Sequence, residues 1–168
     1  KISLIAKKQK IKIFRGSENN VRKRTIDCCL KYKISAFVRI NCDRPFLDYI
    51  QLSNMIKKFR SKKYDIVTNC LSNFKIKGLS LEIIKFKTFK NISKKLIKFD
   101  KEHIFNYFYR NKKRYKIYNV QQCKYKIKES LSLDNKKDLS RVKKIYKKFE
   151  YDYLVKTANI INFLRTKW

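Results

Sequence analysis

Apolar positions along this chain change their spacing several times, and each change marks an element. Ala36 to Ile40 is short, apolar and β-branched apart from Arg39, the pattern of a buried strand. From Asp48 the spacing turns helical, with Ile50, Met55, Ile56 and Phe59 on one face and Asp48 as N-cap. A third run ends at Asp134 and hands over to Leu139, Val142, Ile145, Tyr146 and Phe149 at helical spacing. Read throughout, the pattern predicts strands at 11–14, 36–41, 64–69, 81–86, 115–121 and 129–134. Helices are predicted at 17–32, 48–60, near 88–98, 101–110 and 135–149, with an amphipathic packing helix at about 152–166. Strands alternating with helices imply an α/β domain, a mostly parallel sheet covered on both faces. No repeat or Gly/Ser linker divides it, so one domain is expected across residues 1–168.

Punctuation between elements locates the candidate chemistry. Pro45 is the one proline of the chain; it lacks an N–H and disfavours helix at Arg44, so pairing stops and the backbone turns near Asp43. Asp43 is thereby left at the C-terminal end of a strand, where open α/β sheets place ligand chemistry. Two readings stand side by side: a turn-capping aspartate, or a ligand-facing one. Asp134 follows a strand pattern in the same way. Gly16 follows a short strand pattern, and Ser17 is read as the N-cap of the next helix.

Composition adds a bias and several exclusions. Lys and Arg number 45 against 13 Asp and Glu, a formal net charge of +32, and the basic residues are spread along the helices rather than gathered in one arm. Lys and Ile are inflated and Gly and Pro depleted, the skew of A/T-rich codons, so the charge speaks to solubility and nonspecific binding rather than to fold. Hydrophobic content of 43% is enough for a core, and no stretch reaches the ~20 apolar residues of a membrane span. The five cysteines, Cys28, Cys29, Cys42, Cys70 and Cys123, form no C-x-x-C pair and read as buried free thiols of a reducing compartment. His103 is the lone histidine, which excludes a His-based metal cluster.

Six stretches stand in register with one known family. Phe14 to Val21, Val38 to Asp48, Asp65 to Asn69, Gly78 to Glu82, Lys101 to Tyr107 and Leu131 to Leu139 follow the patterns F-R-G-S-E-x-x-V, V-R-I-x-x-D-x-P-L-I-D, D-x-V-S-N, G-L-D-x-E, R-E-H-V-T-P-Y-I and L-T-V-D-T-x-E-D-L. Over residues 10–150 the chain resembles the cytidylyltransferases of the CMP-KDO synthetase and acylneuraminate type, in the branch of spore-coat polysaccharide biosynthesis protein F. It departs from them at Ser80, where the family has aspartate, and at Lys101, where it has arginine. The family's opening glycine- and arginine-rich phosphate loop has no counterpart, so the chain is expected to be a truncated domain lacking its first strands.

The resemblance implies a three-layer sandwich of the nucleotide-diphospho-sugar transferase, Rossmann-like type. It implies transfer of CMP from CTP to a nonulosonic or KDO-like sugar acid for surface polysaccharide, in the cytoplasm, with Mg2+ as cofactor and a homodimer left open; without the phosphate loop this chain by itself is expected to be inactive. Asp43 and Asp134 match the aspartates that hold the metal, Asp43 and Arg39 are the catalytic candidates, and Arg15, Glu82 and His103 are the substrate-binding ones. Arg39 and Arg15 have core-edge ion pairing as their competing reading, and Asp138 reads as a helix first-turn residue rather than a ligand. Two other classes compete: a nucleotide-sugar-binding domain without catalysis, and a basic nucleic-acid-binding protein whose 14% aromatic content would supply stacking. Binding of the chain to DNA or RNA is expected to be nonspecific and to collapse with salt, as contacts to phosphates alone do. A sequence-preferring complex that survives ~0.5 M salt in a filter-binding titration would promote the nucleic-acid reading.

Overall fold

The computed structural model describes residues 2–71, 76–92, 96–122 and 127–166. The chain divides into two compact units, one of residues 1–36 and 85–111 and the other of 37–84 and 112–168. Among the described residues no helix is long and apolar enough to cross a membrane.

The first unit holds α1 (Ile2–Lys8), α2 (Val21–Lys31), α4 (Phe86–Lys90), α5 (Lys98–Glu102) and α6 (Asn106–Arg110). Its core is aromatic: Phe89, Phe105 and Phe108 are fully buried with ring centroids 6.0–6.5 Å apart. Arg22 is buried with them, its guanidinium 4.5 Å from the Phe89 ring centre and donating to the Phe89 carbonyl at 2.6 Å. Burial raises the pKa of the Asp100 carboxyl, but the 2.7 Å bond from Arg110, the backbone N–H of Ile97 and the charges of Arg110 and Arg22 outweigh it and hold it below the usual range. The expected strand at 11–14 does not form, because no neighbouring strand among the described residues offers it a ladder, and Ile11 is exposed. The cap of α2 is Asn20, not Ser17: its side chain accepts from the Lys23 N–H at 2.9 Å. The helix expected over 101–110 is two short ones, parted where Ile104 and Phe105 turn into the core.

The second unit carries the sheet and α3 (Tyr49–Arg60), α7 (Lys136–Lys148) and α8 (Thr157–Thr166). Strands β1 (Ala36–Arg39), β2 (Ile66–Thr68), β3 (Glu82–Lys85) and β4 (Ile117–Asn119) lie in the order β1-β3-β2-β4. β2 runs parallel to β4 but antiparallel to β3, pairing Val67 with Ile83 and with Tyr118. The sheet is therefore mixed. Residues 69–81, as far as they are described, contain no helix, so the chain returns from β2 to β3 without the crossover that parallel pairing needs.

Two apolar clusters fill this unit. Met55, Val67, Leu81 and Ile83 join α3 to the sheet, and Phe46, Leu79, Leu131, Val142, Ile145, Ile160 and Leu164 join α7 and α8 to the segments around them. Among the described cysteines only Cys29, in the first unit, is buried, and burial, then its neighbour Cys28, pushes its thiol up to about 11. Cys42 is exposed, Cys28 and Cys70 are half-buried, and Cys123 lies outside the described residues.

One close approach controls how the second unit's irregular segments meet. Gly78 has φ +101°, and a Cβ placed there would stand 2.3 Å from the Leu131 carbonyl carbon and 2.5 Å from the Ser132 nitrogen. Both faults lie in backbone, which cannot swing aside. Gly78→Ala is expected to cost about 3 kcal/mol or more, read as a lowered urea midpoint at unchanged slope. Stability within about 0.5 kcal/mol of wild type would show that the approach is not tight.

Candidate functional site

The segment expected as a strand at 129–134 is irregular backbone, yet it is stitched to two others. Leu131 donates to the Lys77 carbonyl at 2.7 Å, and Leu133 to the Asp43 carbonyl at 2.8 Å. Its alternate N–H groups thus bond two different segments, which is why the extended pattern in sequence does not become a sheet strand. The consequence is chemical: Asp43 and Asp134, far apart in sequence, are brought to one corner.

Within that corner the two carboxylates differ. Asp43 Oδ1 is buried and, among the described residues, has no hydrogen-bond partner; the Arg44 Nε stands 4.0 Å away. Asp134 is half-exposed and accepts from the Lys77 ammonium at 2.5 Å and from the Ser132 hydroxyl at 3.0 Å. Those two bonds, Lys77 first, hold its carboxyl below the ordinary range, and the same ammonium is raised by the bond to Asp134 and by the charges of Asp138 and Asp43. Among the described residues no three His, Cys, Asp or Glu side chains gather as a metal nest. Magnesium needs only one or two protein carboxylates and fills its remaining positions with water and phosphate oxygens. Asp43, with a buried oxygen that accepts no hydrogen bond, and Asp134, which Lys77 engages, are the carboxylates that would hold such an ion.

The other candidates fall into separate settings. Arg39 on β1 donates to Glu82 on β3 at 3.0 Å, the glutamate being only 5% exposed in its side chain, so these two are together as an ion pair. Arg15 is exposed on irregular backbone of the first unit. His103 is exposed in that unit too, closing α5 with its N–H on the Phe99 carbonyl and its ring 4.1 Å from the Phe99 ring centre. Asp138 is a cap, as its position at the start of α7 suggests. It accepts from the N–H groups of Asp134 and Asn135 at 2.9 and 3.1 Å, while Asn135 accepts from the Asp138 N–H at 3.0 Å.

Three residues of this corner were not singled out from sequence. Lys77 sits one residue before Gly78, and nothing in local periodicity distinguishes it from the other lysines. Arg44 donates to the Ser80 carbonyl at 2.8 Å. Asn69, fully buried, donates to the Leu79 carbonyl at 2.8 Å and accepts from the Leu81 N–H at 2.7 Å, so it clasps the loop on both sides of Ser80. A polar residue closing an apolar strand was the available signal for Asn69, whose stretch was noted only as a motif.

No protein-family model matches the sequence. An uncharacterized protein of Methanocaldococcus jannaschii is 28% identical over 160 residues, and the match takes in 92% of this chain and 63% of that protein. The chain thus spans less than two thirds of the length of that relative. The solved structure of a cytidylyltransferase from Leptospira borgpetersenii serovar Hardjo-bovis superposes with a TM-score of 0.88 at 23% identity, over 99% of this chain and 71% of that one. The chain shares its fold with that structure. On this shared fold the Asp43 and Asp134 corner, the Asn69 clasp and the Arg39–Glu82 pair are all features of the second unit.

The Arg39–Glu82 pair allows its structural share to be measured. Removing one member of a buried pair strands the other's charge, whereas replacing both by apolar groups is close to neutral. Arg39→Met is expected to destabilise the chain by about 2–4 kcal/mol, and Arg39→Met with Glu82→Leu to recover most of the loss in chemical denaturation. Additive losses in the double variant would show that each residue acts through other contacts.

Proposed function

We propose that this chain is part of a nucleotidyltransferase that moves CMP from CTP onto a sugar acid of the nonulosonic or KDO-like kind, in the making of surface polysaccharide. The observation that carries the reading is the Asp43 and Asp134 corner, where the buried Asp43 Oδ1 accepts no hydrogen bond, on a fold shared with a cytidylyltransferase. The finer likeness, to the spore-coat branch, rests on the motifs around Arg15, Asp43, Glu82, His103 and Asp134.

In this reading a sugar hydroxyl attacks the α-phosphorus of CTP and pyrophosphate leaves, so the chain's task is to position groups and balance charge. Asp43 and Asp134 would hold magnesium, which when bound neutralises phosphate charge. Ser132 orients the Asp134 carboxylate, and the Asp138 cap fixes the backbone that carries it. Lys77, now paired with Asp134, would supply a cation to a phosphate if that pair opened. Glu82 is proposed to contact the sugar acid, its carboxylate set by Arg39, while Arg15 and His103 are candidates by their motifs alone. One observation favours a second reading, a nucleotide-sugar-binding domain without catalysis: Lys77 already neutralises Asp134.

The assay is pyrophosphate release from CTP by the full-length protein, with a panel of nonulosonic acids, with and without Mg2+. Asp43→Asn and Asp134→Asn remove charge and almost no volume. Each is expected to lower turnover on the order of 100-fold or more with an unchanged melting curve. Wild-type turnover in both variants would overturn the mechanism, and CTP binding without turnover in the wild type would select the second reading.

A further inference from the structure

A cleft of about 510 Å³ opens along α7 and α8 of the second unit, on the flank of α7 rather than at the aspartate corner. Its volume is that of a small-molecule site. Along one wall Lys137, Arg141 and Lys144 recur at the spacing of a single helix face. The floor is apolar: Ile145 and Leu164 are buried members of the core, and Phe163, half-buried, packs edge-on against Phe149 at 5.9 Å. Glu129 is the single acidic residue of the lining, which leaves it net cationic.

Arg141 separates this wall from an ordinary solvated lysine face. Its Nη2 is held by Asp138 Oδ1 at 2.5 Å, which fixes the guanidinium plane, while its Nε is buried and has no hydrogen-bond partner among the described residues. A buried guanidinium donor without an acceptor is costly unless a ligand supplies one. An oxyanion at the wall would meet the positive charges of Arg141, Lys137 and Lys144, which line the same cleft. A bare phosphate would satisfy the wall and leave the floor wet; a neutral apolar molecule would do the reverse.

We propose that this cleft binds a soluble organic anion, one carboxylate, sulfonate or phosphate group carried on an aromatic or branched apolar body. The inference does not depend on the nucleotidyltransferase reading, since it uses none of the residues assigned there to substrate or metal. It also gives Lys137, Arg141 and Lys144 a common task that composition alone would assign to solubility.

The test uses 8-anilinonaphthalene-1-sulfonate as probe, with fluorescence titration of the whole 168-residue chain and methyl NMR shifts of Ile145 and Leu164 to locate binding. Saturable binding to one site is expected, with both methyl groups shifted. N-phenyl-1-naphthylamine, the same body without the sulfonate, is expected to bind about tenfold or more weakly, and inorganic phosphate to compete only at far higher concentration. Lys137→Glu and Lys144→Glu are each expected to weaken the probe about tenfold, while Lys147→Glu, outside the cleft, leaves it unchanged. All three replace exposed side chains, and a melting curve checks that each is folded. Equal affinity for the neutral probe, an equal loss in all three variants, or unshifted methyl groups would overturn the proposal. So would binding confined to phosphatidylglycerol vesicles with the same dependence on Lys144, which would make the cleft a lipid-surface site.

Discussion

A missing Cβ and two backbone hydrogen bonds hold the second unit's working corner together. Gly78 lets the segment around Lys77 touch the backbone of Leu131 and Ser132, and the N–H groups of Leu131 and Leu133 then bond outward to Lys77 and Asp43. None of these stretches is regular strand, so none has a ladder to keep it in place. Their register is set by these two hydrogen bonds and by an approach that leaves no room for a Cβ at residue 78. If that contact loosened, Asp134 would lose its fixed relation to Asp43, and Lys77 its relation to both.

Buried polar groups do similar work elsewhere. Asn69 occupies a fully buried site at the end of β2 and satisfies the backbone on both sides of Ser80, so the loop that leads into β3 is held from within. Arg39 and Glu82 tie β1 to β3 at side-chain level. In the first unit Arg22 and Asp100 sit inside a phenylalanine core, where an ionised group is tolerable only with partners at hydrogen-bond distance. These contacts specify one arrangement among the many that a chain so rich in lysine and isoleucine could pack.

Helix α7 serves several ends at once. Its first turn, through the reciprocal Asn135 and Asp138 cap, fixes the backbone at Asp134. One face places Val142 and Ile145 in the core, and another carries Lys137, Arg141 and Lys144 along the cleft. Arg141 belongs to both regions, because the carboxylate it grips is the cap. The physical state of the helix start and that of the cleft wall are therefore linked through one guanidinium.

Local rules along the chain determined a good deal. The helical spacing after Asp48 predicted α3, and its side chain does cap that helix, accepting from Gln51 at 2.8 Å. The helix after Asn135 and the strands near 36–41, 64–69, 81–86 and 115–121 formed within a few residues of their predicted bounds, because period and caps are properties of neighbouring residues. Motif register pointed to the fold. What tertiary structure decided were pairings at long range: the antiparallel return of β3, the failure of 11–14 and 129–134 to become strands, and the lysine that reaches Asp134. Strand pairing and ion pairing depend on which segment arrives alongside, and a residue's own neighbours carry no record of that. Lys77 looks like any of the chain's other lysines until Gly78 brings its backbone against Leu131.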